Sequence, residues 1–157
     1  EVPFIRPSKL AGDSSTSADV MKHAIEYLRL ENETILLLQP TSPLRTKTHI
    51  SKAFKKFTKD CSDSLVSICS VDKNPLWSYW VQNEKLVPVC ESVNISTLRQ
   101  DLPNAFALNG AIYIFTVDFF KKNHVFFNNQ SNYFIMEKNA NKLKYCSPKN
   151  INRPVPI

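Results

Sequence analysis

Glycine is scarce in this sequence: only Gly12 and Gly110 occur in 157 residues. Phosphate-binding loops of the G-x-G-x-x-G and Walker types need several closely spaced glycines, so both types are excluded. Long apolar runs are missing too, and none approaches the roughly 20 residues that a transmembrane helix needs. The first four residues, EVPF, do not combine a basic start with an apolar stretch, so we expect no signal peptide and no membrane partner.

The cysteines and histidines show no pattern of a metal site. The four cysteines are widely spaced, without a C-x-x-C pair, and the three histidines form no H-x-x-x-H pair. Zinc sites are built from such closely spaced ligands. We therefore expect no metal bound by these residues, and we expect reduced thiols in a cytoplasmic protein.

Positive charge exceeds negative charge, with 20 lysines and arginines against 14 acidic residues and a net charge of +6. This balance fits nucleic acid, a membrane surface or a small anionic ligand. Most lysines fall on the predicted solvent faces of helices, so we favour the small ligand and expect no nucleic acid. A basic nucleic-acid binder is kept as an alternative, which salt-dependent binding to DNA or RNA would reveal.

One α/β domain covering residues 1–157 is predicted from the chain length and the order of the apolar patterns. Helical spacing over residues 18–30 is followed by the apolar run 34–38, which predicts a strand buried on both faces. Thr48 can cap a second helix, and residues 64–71 form the next predicted strand. This strand–helix–strand order predicts a right-handed crossover and a mostly parallel sheet with flanking helices.

A protruding hairpin is predicted for residues 78–82 and 85–89, which flank the turn residues Asn83 and Glu84. We assign it to an insert covering residues 77–98. The insert carries three aromatic residues that we expect to be exposed: Trp77, Tyr79 and Trp80. Exposed aromatics suit a subunit interface, and the same residues equally suit a small satellite core.

Polar residues follow the apolar run directly, in a turn restricted by Pro40 and Pro43. The carboxyl ends of strands in open α/β sheets are where ligands bind, and loops carry function disproportionately. The candidate site residues of this turn are Gln39, Thr41, Ser42 and Arg45. The alternative is an ordinary strand-to-helix loop whose hydroxyls only cap the next helix.

Two further stretches carry candidate site residues. Arg99 presents a planar fork suited to a carboxylate or phosphate, although an isolated arginine is more often a surface ion pair. Asn109 and Gly110 precede the apolar residues 111–115, and they either permit close approach to a ligand or form a plain turn. Before the first helix, Ser14 either caps that helix or contacts a ligand.

The stretch LLLQPTSPLR at residues 36–45 resembles the signature of the acylneuraminate cytidylyltransferase family, the enzymes that make CMP-sialic acid and related CMP-sugars. RQDLP at 99–103, NGAIYI at 109–114 and RPSKLAGDSS at 6–15 are similar to further family motifs. The resemblance runs from residue 1 to about residue 136. It implies a Rossmann-like nucleotide-diphospho-sugar transferase fold, a homodimer, and a nucleotidyl transfer from CTP to an acidic nonulosonic sugar that requires Mg²⁺.

The resemblance also implies roles for the candidate residues. Sugar contacts are implied for Gln39, Arg99 and Asn109. Residues that line or shape the site are Arg6, Ser14, Thr41, Ser42 and Arg45. No catalytic residue is assigned.

Three features depart from the family pattern. The basic loop P-A-R-x-x-S-K has no counterpart, and residues 137–142, which correspond to the metal-binding S-x-D-I-D, contain no aspartate. Trp77 stands where the family has a lysine, for which Lys73 could substitute. We therefore expect an open hydrophobic sheet edge and poor catalysis by the isolated chain. The alternative is a truncated or degenerate relative that binds sugar or a partner without catalysis.

Overall fold

A computed structural model describes residues 3–12, 14–90 and 102–137. Arg99, residues 91–98 of the predicted insert, and residues 138–142 therefore lie outside the described residues. Within these described ranges, two short 3₁₀ turns, Ser8–Leu10 and Pro75–Trp77, accompany three helices and six strands. In chain order these are α1 Ser17–Leu28, β1 Thr34–Leu37, α2 Lys47–Lys59, β2 Ser64–Ser70, β3 Tyr79–Gln82, β4 Lys85–Pro88, β5 Phe106–Thr116, α3 Val117–Asn123 and β6 Asn132–Ile135.

The main sheet is mixed, with the strand order β1-β5-β2-β6. β5 runs antiparallel to both of its neighbours, β1 and β2, and within the described residues only β2 and β6 pair in parallel. The prediction of a mostly parallel sheet therefore needs correction. β1 and β2 do run in the same direction, but β5 lies between them. The strand–helix–strand pattern in the sequence predicts that β1 and β2 run in the same direction. It does not predict that another strand lies between them.

The first strand is not buried on both faces, contrary to the prediction. β1 alternates between exposed and half-buried residues, and Leu36 is 37% exposed. The reason is its position, because β1 lies at one end of the strand order and pairs only with β5 among the described strands. An apolar edge strand and an apolar central strand look alike in sequence.

Side-chain caps begin the two longer helices. Thr16 and Asp19 form a capping box at the start of α1, with Asp19 N donating to Thr16 Oγ1 at 3.1 Å and Thr16 N donating to Asp19 Oδ2 at 2.8 Å. α2 begins earlier than predicted, because Thr46 rather than Thr48 is its N-cap and His49 completes the box. None of the described helices is long and apolar enough to cross a membrane.

The core occupies both faces of the main sheet. Ile112 and Ile114 of β5 pack in one cluster with Ala53 and Phe57 of α2. The intervening residues of β5 face the other way, since side chains alternate along a strand. They pack in a second cluster with residues of α1 and α3, which contains Ile25, Tyr113, Phe115, Val117 and Phe120. The described elements thus form three layers, with the sheet between helices.

The strands β3 and β4 form a separate antiparallel two-stranded sheet. They are joined by Asn83 and Glu84, whose φ angles of 50° and 60° suit the primed turns that match strand twist. Every residue of both strands is exposed, including Trp80 at 54%. These side chains belong to neither buried core cluster of the described residues.

Candidate functional site

The pairing of β2 with β5 is interrupted at the middle of β2. Val66 pairs with Tyr113, and pairing resumes at Ile68 with Leu108, so that residues 109–112 of β5 lie opposite Ser67 alone. We call residues 109–112 the bulge. Bulges break a strand ladder locally and re-aim side chains, often beside active sites. The bulge therefore needs other partners for the backbone groups that leave the ladder.

Two side chains supply these partners. Ile112 N donates to Ser67 Oγ at 2.8 Å, and Ser67 Oγ donates to Asn109 Oδ1 at 2.6 Å. The same Asn109 oxygen accepts a hydrogen bond from Ala111 N at 3.0 Å. Ser67 is fully buried, so these bonds are shielded from water. Asn109 and Ser67 thus hold the bulge in shape.

Gly110 lets the bulge lie against the loop that follows β1. Its φ of +67° is in the left-handed region, which favours glycine. A Cβ at this position would lie 3.0 Å from Oε1 of Gln39, closer than ordinary van der Waals contact. Both the backbone conformation and the close approach therefore call for glycine here.

Arg45 and Ser42 fasten the loop after β1 to the bulge. Nη1 of Arg45 donates to the carbonyl oxygen of Gln39 and, at 3.1 Å, to that of Ala111. Ser42, which is buried, donates from Oγ to the carbonyl oxygen of Asn109 at 3.3 Å. Since Nη1 of Arg45 bonds to backbone on both sides, this arginine shapes the loop.

The structure brings half of the predicted site residues together: Gln39, Ser42, Arg45 and Asn109. Thr41 lies in the same loop and is exposed. Arg6 and Ser14 are exposed in the segment before α1, and no hydrogen bond among the described residues joins them to the loop or the bulge. Arg99 lies outside the described residues.

Two carboxamides at this place have hydrogen-bonding groups without a partner among the described residues. Nδ2 of Asn109 is buried and has no hydrogen-bond partner among the described residues. A buried donor without a partner costs about 1–3 kcal/mol, so it marks a place where a ligand oxygen would be stabilising. The half-buried side chain of Gln39 also makes no hydrogen bond among the described residues. The site can thus offer N–H donors to an oxygen-rich ligand.

Comparison with known proteins finds relatives that match most of this chain. No protein-family model matches the chain. Post-translational flagellin modification protein B of Campylobacter coli is 32% identical over 89% of this chain and 61% of its own length. CMP-N,N'-diacetyllegionaminic acid synthase of Campylobacter jejuni is 31% identical over 89% of this chain and 61% of its own. N-acylneuraminate cytidylyltransferase of Streptococcus agalactiae is 29% identical over 85% of this chain and 32% of its own.

The chain is similar to the acylneuraminate cytidylyltransferase family over most of its own length. The motif LLLQPTSPLR covers the end of β1 and the loop after it, residues 38–45, which we call the β1 exit loop. The motif NGAIYI covers the bulge and the first buried residues of β5 that follow it. The chain spans less than two thirds of the length of each of these relatives.

The magnesium that the family implies finds no ligand set here. The described part of the chain contains no group of three or more His, Cys, Asp or Glu residues that could hold a metal ion. Around the bulge, the side chains that carry hydrogen-bonding groups are Gln39, Ser42, Arg45, Ser67 and Asn109. Mg²⁺ prefers carboxylate and phosphate oxygens. The described residues therefore do not fit a magnesium ion.

Ser67 was not predicted from the sequence. Its only sequence signal is a serine in the middle of the otherwise apolar run Leu65–Ile68, which reads as a small core residue. Its function in the bulge depends on the register shift of β5, which no local pattern shows.

A cavity of about 490 Å³ lies elsewhere, at the amino end of β2. Its walls include three carboxylates, those of Asp60, Asp63 and Asp118, against the single cation Lys122. Asp60 is already paired with Lys56 at 2.6 Å. An excess of negative charge disfavours an anionic ligand, so the bulge is the better candidate for an anion.

Proposed function

We propose that this chain carries the sugar-binding side of an enzyme that joins an acidic nonulosonic sugar to CTP, giving the CMP-sugar and pyrophosphate. The observation that carries the proposal is the pair of available carboxamides, Gln39 and Asn109, held together by the bulge and the β1 exit loop. Its support is that the relatives include proteins named as cytidylyltransferase and CMP-sugar synthase.

Each site residue has a proposed role. Gln39 and Asn109 donate to oxygens of the sugar, and Arg99 pairs with the sugar carboxylate through its planar fork. Ser42 and Arg45 hold the loop in position. The residues proposed to line the remainder of the site are Arg6, Ser14 and Thr41.

In the proposed reaction the anomeric hydroxyl of the sugar attacks the α-phosphorus of CTP, and pyrophosphate leaves. Such transfers depend on positioning of the reactants and on neutralising phosphate charge. The described residues contribute positioning of the sugar. Mg²⁺ is kept as a proposed cofactor whose ligands the described residues do not include. The cytoplasm is the proposed location, because the cysteine spacing suits a reducing compartment.

A second copy of the chain is the proposed partner. The two-stranded sheet of β3 and β4 exposes a set of apolar side chains, namely Trp80, Val81, Leu86 and Val87. Exposed apolar groups of this kind are typical of subunit interfaces. Covering them against the same sheet of a partner would form a symmetric dimer.

Isothermal titration tests the proposed function. The chain is titrated first with N-acetylneuraminic acid and then with CTP and Mg²⁺, and pyrophosphate is assayed. We expect sugar binding that is lost in Arg99→Ala and weakened in Gln39→Ala. Gln82→Ala, which removes an exposed carboxamide from β3, is the matched control and should bind as the parent does.

The outcomes separate the possibilities. Sugar binding together with pyrophosphate release supports the full reaction. Sugar binding without heat from CTP supports the sugar half of the site alone. No heat from either ligand would refute the assignment of the site.

A further inference from the structure

The hydroxyl of Ser67 both accepts and donates a hydrogen bond. It accepts a hydrogen bond from Ile112 N at 2.8 Å and donates one to Asn109 Oδ1 at 2.6 Å. It is fully buried, so water does not compete for either bond. Ile112 N–H occupies one of the two lone pairs of the hydroxyl, and the single O–H is directed to Asn109 Oδ1.

The two bonds to Oδ1 fix the orientation of the Asn109 carboxamide. Oδ1 receives hydrogens from Ser67 Oγ and from Ala111 N. If the carboxamide were turned over, its NH₂ group would face the N–H of Ala111, and two donors would meet. The group left over is always Nδ2, which has no acceptor among the described residues.

We propose that Ser67 is a positioning residue, whose hydroxyl fixes the Asn109 carboxamide so that a ligand meets a donor and never an acceptor. The inference rests on the proposed function, because the ligand in question is its acidic sugar. A fixed N–H donor favours a carboxylate or carbonyl oxygen, which are stronger acceptors than a hydroxyl. Ser67 thus selects the chemical character of the sugar group bound at Asn109.

Access to this donor requires a neighbour to move. Nδ2 of Asn109 has no exposed surface, so a ligand oxygen reaches it only when a covering group gives way. The side chain of Gln39 lies against the adjacent Gly110, and no hydrogen bond among the described residues holds it.

Asn109→Asp is the sharpest test. It keeps Oδ1 and both of its donors but replaces the outward N–H donor with an acceptor of the same size. If Asn109 had only a structural role, the folded variant would bind the sugar with the same affinity as the parent. We expect the affinity for N-acetylneuraminic acid to fall at least about tenfold, which is the size of one lost hydrogen bond to a charged group. Because a buried carboxylate oxygen without a partner also lowers stability, urea unfolding of the variant is measured first, and sugar binding is compared under conditions where both proteins are folded.

Ser67→Ala tests the positioning itself. Its matched control is Ser64→Ala on the same strand, a buried serine whose hydroxyl bonds to Ser131 Oγ at 2.5 Å and not to the bulge. In ¹⁵N-labelled protein without sugar, the side-chain NH₂ signals of Asn109 should move or broaden in Ser67→Ala and stay unchanged in Ser64→Ala. In the parent, the same signals should shift on adding N-acetylneuraminic acid and not on adding CTP.

The results distinguish the two hypotheses. If the parent binds the sugar but Asn109→Asp binds it equally well, this inference is refuted and the proposed function stands. If the parent binds no sugar, the proposed function fails, and with it the ligand part of the inference. Unchanged Asn109 signals in Ser67→Ala would refute the positioning role whether or not sugar binds.

Discussion

Gln39 and Gly110 are packed so closely that a Cβ on Gly110 would lie 3.0 Å from the side-chain oxygen of Gln39. The two residues belong to the two stretches that carry the family resemblance, and the contact joins the β1 exit loop to the bulge. The loop and the bulge are thus one structural unit. A change in either is expected to affect both the stability of this unit and its ligand.

Gly110→Ala should destabilise the protein by about 1–2 kcal/mol, because an alanine must adopt a left-handed conformation at φ +67°. The new methyl group should also push Gln39 aside and weaken sugar binding. Urea unfolding and titration with N-acetylneuraminic acid measure the two effects.

Gly12→Ala is the matched control for this substitution. A Cβ at Gly12 would meet no atom within 4 Å, so we expect almost no change in either measurement. In the double variant Gln39→Ala/Gly110→Ala, the loss of stability from the left-handed backbone conformation should remain. The steric contact between the new methyl group and the side chain of residue 39 should be gone. Equal effects at both glycines would contradict the close packing.

Arg45→Met should cost about 1–3 kcal/mol of stability, since the carbonyl oxygens of Gln39 and Ala111 lose a shared donor. The free energy of unfolding is measured in urea. Arg6→Ala is the control, because Arg6 is exposed and makes no hydrogen bond among the described residues. If Arg45→Met had the same free energy of unfolding as the parent but bound the sugar more weakly, Arg45 would contact the ligand and would not stabilise the loop.

Local features of the fold were predictable from sequence, and long-range pairing was not. The capping box of Thr16 and Asp19 and the cap of α3 by Thr116 depend on residues three apart, so they are legible in the chain. The position of β1 at the sheet edge depends on its pairing with β5, where Leu36 meets Ile114. Nothing near β1 in sequence encodes that partner.

The residues of the candidate site were in part recognisable from local sequence. Gln39 and Asn109 stand in stretches whose residue types indicate a site, and the fold brings these stretches together. Ser67 stands in a strand that reads as core. Its importance comes only from the register shift between β2 and β5, which places the bulge opposite it.

The first turn of α1 should loosen in acid. The side-chain and backbone hydrogen bonds from Thr16 hold the pKa of Asp19 below its usual value of 3.8. A lowered pKa stabilises the folded state above the unfolded value, so this contribution is lost as pH falls below 3.8 and through the folded pKa. An NMR titration of the Asp19 carboxyl measures the shift.

Thr16→Ala removes both the side-chain bond and the cap, so the pKa of Asp19 should rise toward its usual value. Asp19→Asn should abolish the acid-dependent change in the amide signals of this turn. A pKa of Asp19 that is the same in the parent and in Thr16→Ala would show that the hydrogen bonds do not cause the shift.

Trp80→Glu should convert the proposed dimer into a monomer. Trp80 is 54% exposed on the separate two-stranded sheet, and a charge there would have to be buried in the interface. Sedimentation velocity at several concentrations measures the oligomeric state.

Tyr133→Glu is the matched control for Trp80→Glu. Tyr133 on β6 is also 54% exposed, and the substitution introduces the same negative charge at a different surface. We expect Tyr133→Glu to remain dimeric. A monomeric parent, or equal dissociation in both variants, would refute the β3–β4 sheet as the interface.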